Sequence, residues 1–234
     1  MSKKTDTLDS LILVDLLKTL KTMMDYKTLS EHSGIPVSTL TRYVTDKTLP
    51  RGRNAVAIVE KLLRMVDLKS LVSQRILSDG DEYDVSSVVS ESQVIKLIVP
   101  YMAKEFTGQK IDCLLAVDKA GLALATAFAI QNNKKTYYCL TTETSFVNHW
   151  KEIKYRIKEA RMWAKVYIPR DVLKSNVLFT AGILDNIVPL KELKSKIVES
   201  RGDVVGVFSI AATKQFLKTV KPFQLGKIVN LISL

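Results

Sequence analysis

Apolar positions in the first third of the chain recur with helical spacing: Leu8, Leu11, Ile12, Leu16 and Leu20, then Val56, Val59, Leu62, Leu63 and Val66. No strand-like alternation interrupts them as far as about Leu77, so this stretch is expected to be all-helical. The acidic, turn-rich run "SDGDEYD", Ser78 to Asp84, ends it and places a domain boundary there. Beyond that point the pattern changes. "IDCLLAV", "KTYYCLTT", "NVLFTAG", "DVVGVFSI" and "KIVNLISL" are short β-rich runs, with helical stretches at Gly121 to Gln131 and Pro189 to Ser200 between them. Buried strands alternating with amphipathic helices predict βαβ units, a central parallel sheet and right-handed crossovers. Ligands of such sheets sit at the C-terminal ends of the strands. The pattern therefore reads as an all-α domain over residues 1–77 and an α/β domain over residues 78–234.

Composition adds a charge and removes several function classes. With 47% hydrophobic and 25% charged residues, the 234-residue chain has ordinary globular composition and a real core, not disorder. Lys+Arg 35 against Asp+Glu 24 leaves +11, which points to an acidic partner such as nucleic acid or a phosphorylated ligand, against the plainer reading of a solvated lysine surface. Cys113 and Cys139 fall in predicted buried strands without CxxC spacing, the usage of a reduced compartment. His32 and His149 stand far apart with no clustered cysteines, so no metal site is expected. The N-terminus lacks the apolar core of a signal peptide, and "GLALATAFAI" is too short to span a bilayer. The expectation is a soluble cytoplasmic protein with no membrane partner.

The stretch "YKTLSEHSGIPVSTLTRYVTDKTLPRGR", Tyr26 to Arg53, has the order of parts of a helix-turn-helix. Thr28 can cap a short helix, Gly34 supplies the positive φ of a tight turn, and Pro36 suits the entry to a second helix over about Val37 to Thr45. That helix buries Leu40 and Tyr43 and presents Val37, Ser38, Thr39, Thr41 and Arg42 on its other side. Small hydroxyls, a methyl-bearing contact and one arginine can read base edges in a major groove. Lys47, Arg51 and Arg53 follow and suit phosphate contacts. The stretch resembles the helix-turn-helix of bacterial and archaeal repressors, although such helix pairs also serve structural roles.

From about Asp84 onward the chain resembles the type I phosphoribosyltransferase family, in its orotate- and purine-handling branch. "VIKLIVPYMAKEF" looks like the family's leading helix, and "IDCLLAVDKAGLALATAFAIQNNKKTYYC" looks like its first strand, pyrophosphate loop, helix and second strand. The resemblance makes Asp118, Lys119, Ala120 and Gly121 a candidate anion loop, built on amides at a helix N-terminus. Residues 144–170, with Lys151, Lys154, Arg156, Lys158, Arg161 and Lys165, occupy the place of the mobile catalytic loop. A solvated helix with Ile153, Ile157 and Met162 inward gives the same composition. In "VLFTAGILDNIVP" the resemblance puts Ala181 and Gly182 where the family carries two adjacent acids that hold the ribose. Asp185, Asn186 and Ile187 stand where a Thr-Thr-Gly loop wraps the 5′-phosphate, and Pro189 lacks an amide donor. Ala181, Gly182, Asp185 and Asn186 therefore complete a candidate ligand set without any catalytic residue.

The combined reading is a homodimeric, DNA-binding transcriptional regulator with a catalytically degenerate phosphoribosyltransferase-like domain. That domain would serve dimerisation and the sensing of a small phosphorylated effector, without a resident cofactor. The pairing resembles that of bacterial purine repressors and archaeal sugar or nucleotide regulators. The alternative is an active orotate or purine phosphoribosyltransferase with an accessory helical domain. An RNA-binding or protein-interaction scaffold is the third reading.

Overall fold

The computed structural model describes residues 3–50, 54–143, 145–146, 148–157 and 162–234. Five helices come first: α1 (Lys3–Lys21), α2 (Tyr26–Ser33), α3 (Val37–Val44), α4 (Asn54–Met65) and α5 (Leu68–Ser73). The acidic break is a small antiparallel hairpin, β1 (Leu77–Asp79) and β2 (Glu82–Asp84), turning through Gly80 at φ 58°. After α6 (Ser86–Ser90) and α7 (Ser92–Glu105) the α/β part runs β3 (Cys113–Ala116), α8 (Lys119–Asn132), β4 (Lys135–Tyr138), β5 (Trp150–Ile157), β6 (Met162–Pro169), β7 (Asn176–Leu184), α9 (Val188–Glu199), β8 (Asp203–Ala212), α10 (Lys214–Thr219) and β9 (Lys227–Ser233).

Five strands form one sheet in the order β4-β3-β7-β8-β9, and every pairing in it is parallel. Burial explains the near-continuous apolar runs: β3 is buried at all four positions and β7 at Val177 through Gly182. From β3 the chain moves outward to β4; from β7 it moves the other way to β8 and β9. The order thus reverses between β3 and β7, which makes their C-terminal ends the natural crevice of the fold.

Each sheet face has its own core. Leu114, Leu178, Phe208 and Ile210 pack with α7 and α8 on one side. Leu115, Phe179 and Val207 pack with Leu190, Leu193 and Ile197 of α9 on the other, joined by Ile153, Val166 and Ile168. The first of these cores continues without a break into the N-terminal helices, through Leu13, Leu16, Leu17, Leu20, Leu40 and Leu62, all fully buried. The helical part is therefore seated on the α7–α8 layer, with α1 touching both helices and α5 touching α7 and β9.

Residues 144–170 depart from the helical alternative. The described part is the antiparallel ribbon β5–β6, with Lys154 opposite Lys165 and Arg156 opposite Trp163. Ile153 and Ile157 share a face in a helix and in a strand alike, because four residues is close to one helical turn and equals two strand periods. Tyr155 between them fixes the strand period, and the buried row Ile153, Val166 and Ile168 pins the ribbon to the α9 side of the sheet. A second departure is small: α2 is capped by Asp25, whose carboxylate accepts the Thr28 N–H at 2.8 Å, and not by Thr28 itself. A carboxylate at that position also complements the positive end of the helix dipole.

The shared core predicts coupled unfolding. Leu13→Ala should cost about 2–5 kcal/mol. Both tryptophans, Trp150 and Trp163, lie on the β5–β6 ribbon, far from α1 in sequence. Tryptophan emission should nevertheless move its denaturation midpoint together with the far-ultraviolet helix signal; a shift of the helix signal alone would separate the two parts.

Candidate functional site

Two places in the fold carry the residues singled out by sequence. The first is the helix pair α2–α3. Gly34 adopts φ 73°, and its N–H closes α2 on the Ser30 carbonyl at 2.9 Å. Ile35 and Leu40 are buried beneath the pair. On the other side Val37, Ser38, Thr41, Arg42 and Lys47 are exposed, whereas Thr28 and Thr39 are half-buried. Arg51 and Arg53 lie outside the described residues. The exit from α3 is held to α1 by the Lys18–Asp46 ion pair at 2.7 Å. Thr41 donates its hydroxyl to the Val37 carbonyl at 2.9 Å, which leaves its methyl and its oxygen lone pairs facing out.

The second place is the crevice at the ends of β3 and β7. Asp118 follows β3 by two residues and caps α8, accepting the Gly121 N–H at 2.6 Å. The same carboxylate reaches across to β7, where it accepts the Gly182 N–H at 2.8 Å and the Ile183 N–H at 3.4 Å. Thr180 completes the clasp from the strand side by donating its buried hydroxyl to the Gly121 carbonyl at 3.0 Å. Gly121 is required here, since a Cβ would run into the Thr180 backbone. Lys119 is exposed and Ala120 half-buried. Behind Asp118 lies the Cys139 thiol, pushed up to about 12 by burial and by the nearby carboxylate.

Ala181 and Gly182 carry no acid and offer no space for one. Ala181 is fully buried in the core on the α9 side. A Cβ on Gly182 would lie 2.6 Å from the Ala120 Cβ and 2.8 Å from a Val85 methyl. Val85, which closes this position, belongs to the turn before α6 and had no signal in the sequence pattern beyond being apolar. Asp185 and Asn186 are exposed, and Asn186 accepts the Val188 N–H at 2.9 Å, capping the start of α9 with its own side chain. Pro189 follows in the first turn. The strand ends are thus joined by backbone-to-carboxylate hydrogen bonds among themselves.

No protein-family model and no curated protein sequence matches the chain. Solved structures do. The adenine phosphoribosyltransferase of Thermoanaerobacter pseudethanolicus superposes with a TM-score of 0.61 at 14% identity, over 71% of this chain and 99% of that one. The enzyme of the same name from Leishmania donovani gives 0.60 at 15% identity, over 72% of this chain and 80% of that one. The one from Rhodothermus marinus gives 0.60 at 12%, over 71% and 98%. The α/β part has the phosphoribosyltransferase fold.

Between β4 and β7, where the sequence resemblance expects a mobile loop, the described chain forms the β5–β6 ribbon; Lys158 and Arg161 lie outside the described residues. Among the described residues no group of three or more His, Cys, Asp or Glu could hold a metal ion, and no helix is long and apolar enough to cross a membrane. What the crevice can do chemically follows from its donors. Amides at a helix N-terminus attract an anion, and here the anion is the protein's own Asp118.

Two substitutions test this clasp. Asp118→Ala removes a helix cap and strands the Gly182 amide, so it should cost about 2–4 kcal/mol in chemical denaturation. Added sulfate or pyrophosphate should recover part of that loss by binding the freed amides. Gly182→Asp forces a side chain and a charge into a closed space and should destabilise by about 3 kcal/mol or more, with no gain in affinity for phosphoribosyl diphosphate. A stable Gly182→Asp protein that binds the sugar diphosphate would overturn the account of the site.

Proposed function

We propose that the protein is a duplex-DNA-binding transcriptional regulator that acts as a homodimer. In this reading α2–α3 is its helix-turn-helix and the phosphoribosyltransferase-fold part is a non-catalytic platform. The observation that carries the reading is the two-sidedness of α3. Leu40 is fully buried on one side, and Val37, Ser38, Thr41 and Arg42 stand exposed on the other. Among the described residues the Arg42 and Lys47 side chains take part in no ion pair, so both cations are free for an anionic partner. An arginine fork can pair with O6 and N7 of guanine, and the Val37 and Thr41 methyls can meet a thymine methyl. Lys47, just beyond the helix, suits a backbone phosphate. The chain's +11 supplies the salt-dependent attraction that such binding draws on. Dimerisation would set two such helices on half-sites about 34 Å apart.

Fold likeness to adenine phosphoribosyltransferases favours a second reading, a nucleobase phosphoribosyltransferase with an accessory helical domain. Transfer through an oxocarbenium-like state depends on holding ribose and metal-bound pyrophosphate in place. The crevice keeps its Gly121 and Gly182 amides on Asp118, and Ala181 and Gly182 carry no acid where the sequence resemblance expects the ribose acids. These features support the regulator. A phosphorylated effector, where one exists, needs donors other than those amides.

The test begins with selection of duplex ligands from a random pool. Arg42→Ala should weaken the selected sequence by about 1–3 kcal/mol and random DNA much less. Lys47→Ala should weaken both alike and flatten the log–log salt slope by about 0.9. Turnover of phosphoribosyl diphosphate with adenine or orotate should be undetectable. Equal losses on selected and random DNA for both variants would remove the reading face; steady nucleotide formation would establish the transferase.

A further inference from the structure

The β5–β6 ribbon has two unlike faces. Residues directly paired across an antiparallel ribbon share a face, and the faces alternate along it. The row of Ile153, Val166 and Ile168 is buried against the α9 layer. The opposite row holds the pairs Glu152–Tyr167, Lys154–Lys165 and Arg156–Trp163. Glu152 is the organiser of that row. Its carboxylate accepts the Tyr167 hydroxyl at 2.9 Å and lies 3.2 Å from the Lys154 ammonium and 3.3 Å from that of Lys165. The Tyr167 hydroxyl, and after it the two lysines, hold the Glu152 carboxyl below its usual range. One carboxylate therefore gathers two ammonium groups on the same surface, and Arg156 stands beside them, in no ion pair among the described residues.

At the end of this cationic row sits Trp163, 67% exposed. An indole left open on a surface row of cations lacks the apolar surroundings that a protein core or a bilayer would supply. It also cannot stack on a duplex, whose base faces are covered by their neighbours. An unpaired base presents an open π-face to it, and the phosphates on either side complement the cations. Same-face residues along a strand recur about every 6.6 Å, so successive cations can follow the backbone of an extended strand.

We propose that the outer face of the β5–β6 ribbon, formed by Lys154, Arg156, Trp163 and Lys165, binds single-stranded nucleic acid. Trp163 stacks on an unpaired base and the three cations take the flanking phosphates. This surface is separate from the duplex-reading face of α3, and it stands whether or not that face reads DNA.

The experiment follows tryptophan emission while oligo(dT), oligo(U) or a duplex of equal length is titrated into the full chain. Both single strands should quench emission saturably, and the duplex should do so at least tenfold more weakly. Trp163→Phe should abolish the optical change while retaining most of the affinity in a filter-binding assay. Trp163→Ala should lower affinity roughly tenfold or more. The Lys154→Ser, Arg156→Ser, Lys165→Ser triple variant should flatten the log–log salt slope by about 2, near 0.7 per lost phosphate contact. All three positions are at the surface, and an unchanged thermal midpoint identifies these losses as losses of contact. Arg42→Ala should leave the quenching and affinity for both single strands unchanged, which keeps this result independent of duplex reading. The proposal is overturned by any of three outcomes: no emission change with either single strand, equally strong quenching by the duplex, or displacement of the strand by polyglutamate at equal charge concentration. A preference between oligo(dT) and oligo(U) assigns the strand as DNA or RNA.

Discussion

The carboxylate of Asp118 ties the two strands that meet at the centre of the fold. It caps α8 through Gly121 and holds the end of β7 through Gly182. Parallel sheets with a reversal of strand order leave their strand ends and helix N-termini unsatisfied at one spot, which is why ligands gather there. Here the deficit is met from within. The exchange has a structural consequence: with an internal anion in place, β7 stays paired to β8 as far as Leu184, and only three residues separate it from α9. A short connection, closed from below by Val85 and Ala120, leaves little freedom for a loop that wraps a phosphate.

The same replacement of ligand contacts by internal ones recurs at the ribbon. A loop that must open and close over a substrate is drawn from the least stable parts of a fold. The described strands of β5–β6 instead pack Ile153, Val166 and Ile168 into the core shared with α9, and Leu140 adds an antiparallel bridge to Tyr167. What an enzyme of this fold would spend on motion is here committed to packing. The N-terminal helices add to this by extending the other core through α1, so each sheet face is covered by structure that does not depend on a ligand.

Much of the architecture was legible because buried parallel strands are read by hydrophobicity alone. The five β-rich runs and the two helices between them match β3, β4, β7, β8, β9, α8 and α9 in order. The turn at Gly34 was legible because its positive φ favours glycine. The ribbon was ambiguous for the opposite reason: Ile153 and Ile157 fit both periods, and the polar residues between them suit a solvated helix as well as a half-exposed strand. At the crevice, that Ala181 and Gly182 bring no carboxylate to the end of β7 was plain in sequence. That Asp118 turns inward to fill their surroundings was not, since an aspartate before a helix reads equally as a cap or as a ligand group. Val85 was beyond reach, because its contact with Gly182 joins residues 97 positions apart with no local pattern between them.

Charge separates what the molecule can bind from what it cannot. The Gly121, Gly182 and Ile183 amides of the crevice are already engaged by Asp118, so a negatively charged ligand drawing on them must displace a covalently tethered competitor whose effective concentration is high. The surfaces of α3 and of the β5–β6 ribbon have the reverse arrangement: among the described residues Arg42, Lys47 and Arg156 take part in no ion pair, and Lys154 and Lys165 are drawn together by a single carboxylate. Polyanions gain affinity for such surfaces by releasing counterions. Asp118 holds the crevice amides from within, and the cations of α3 and of the ribbon are displayed at the surface, where extended phosphate chains can reach them.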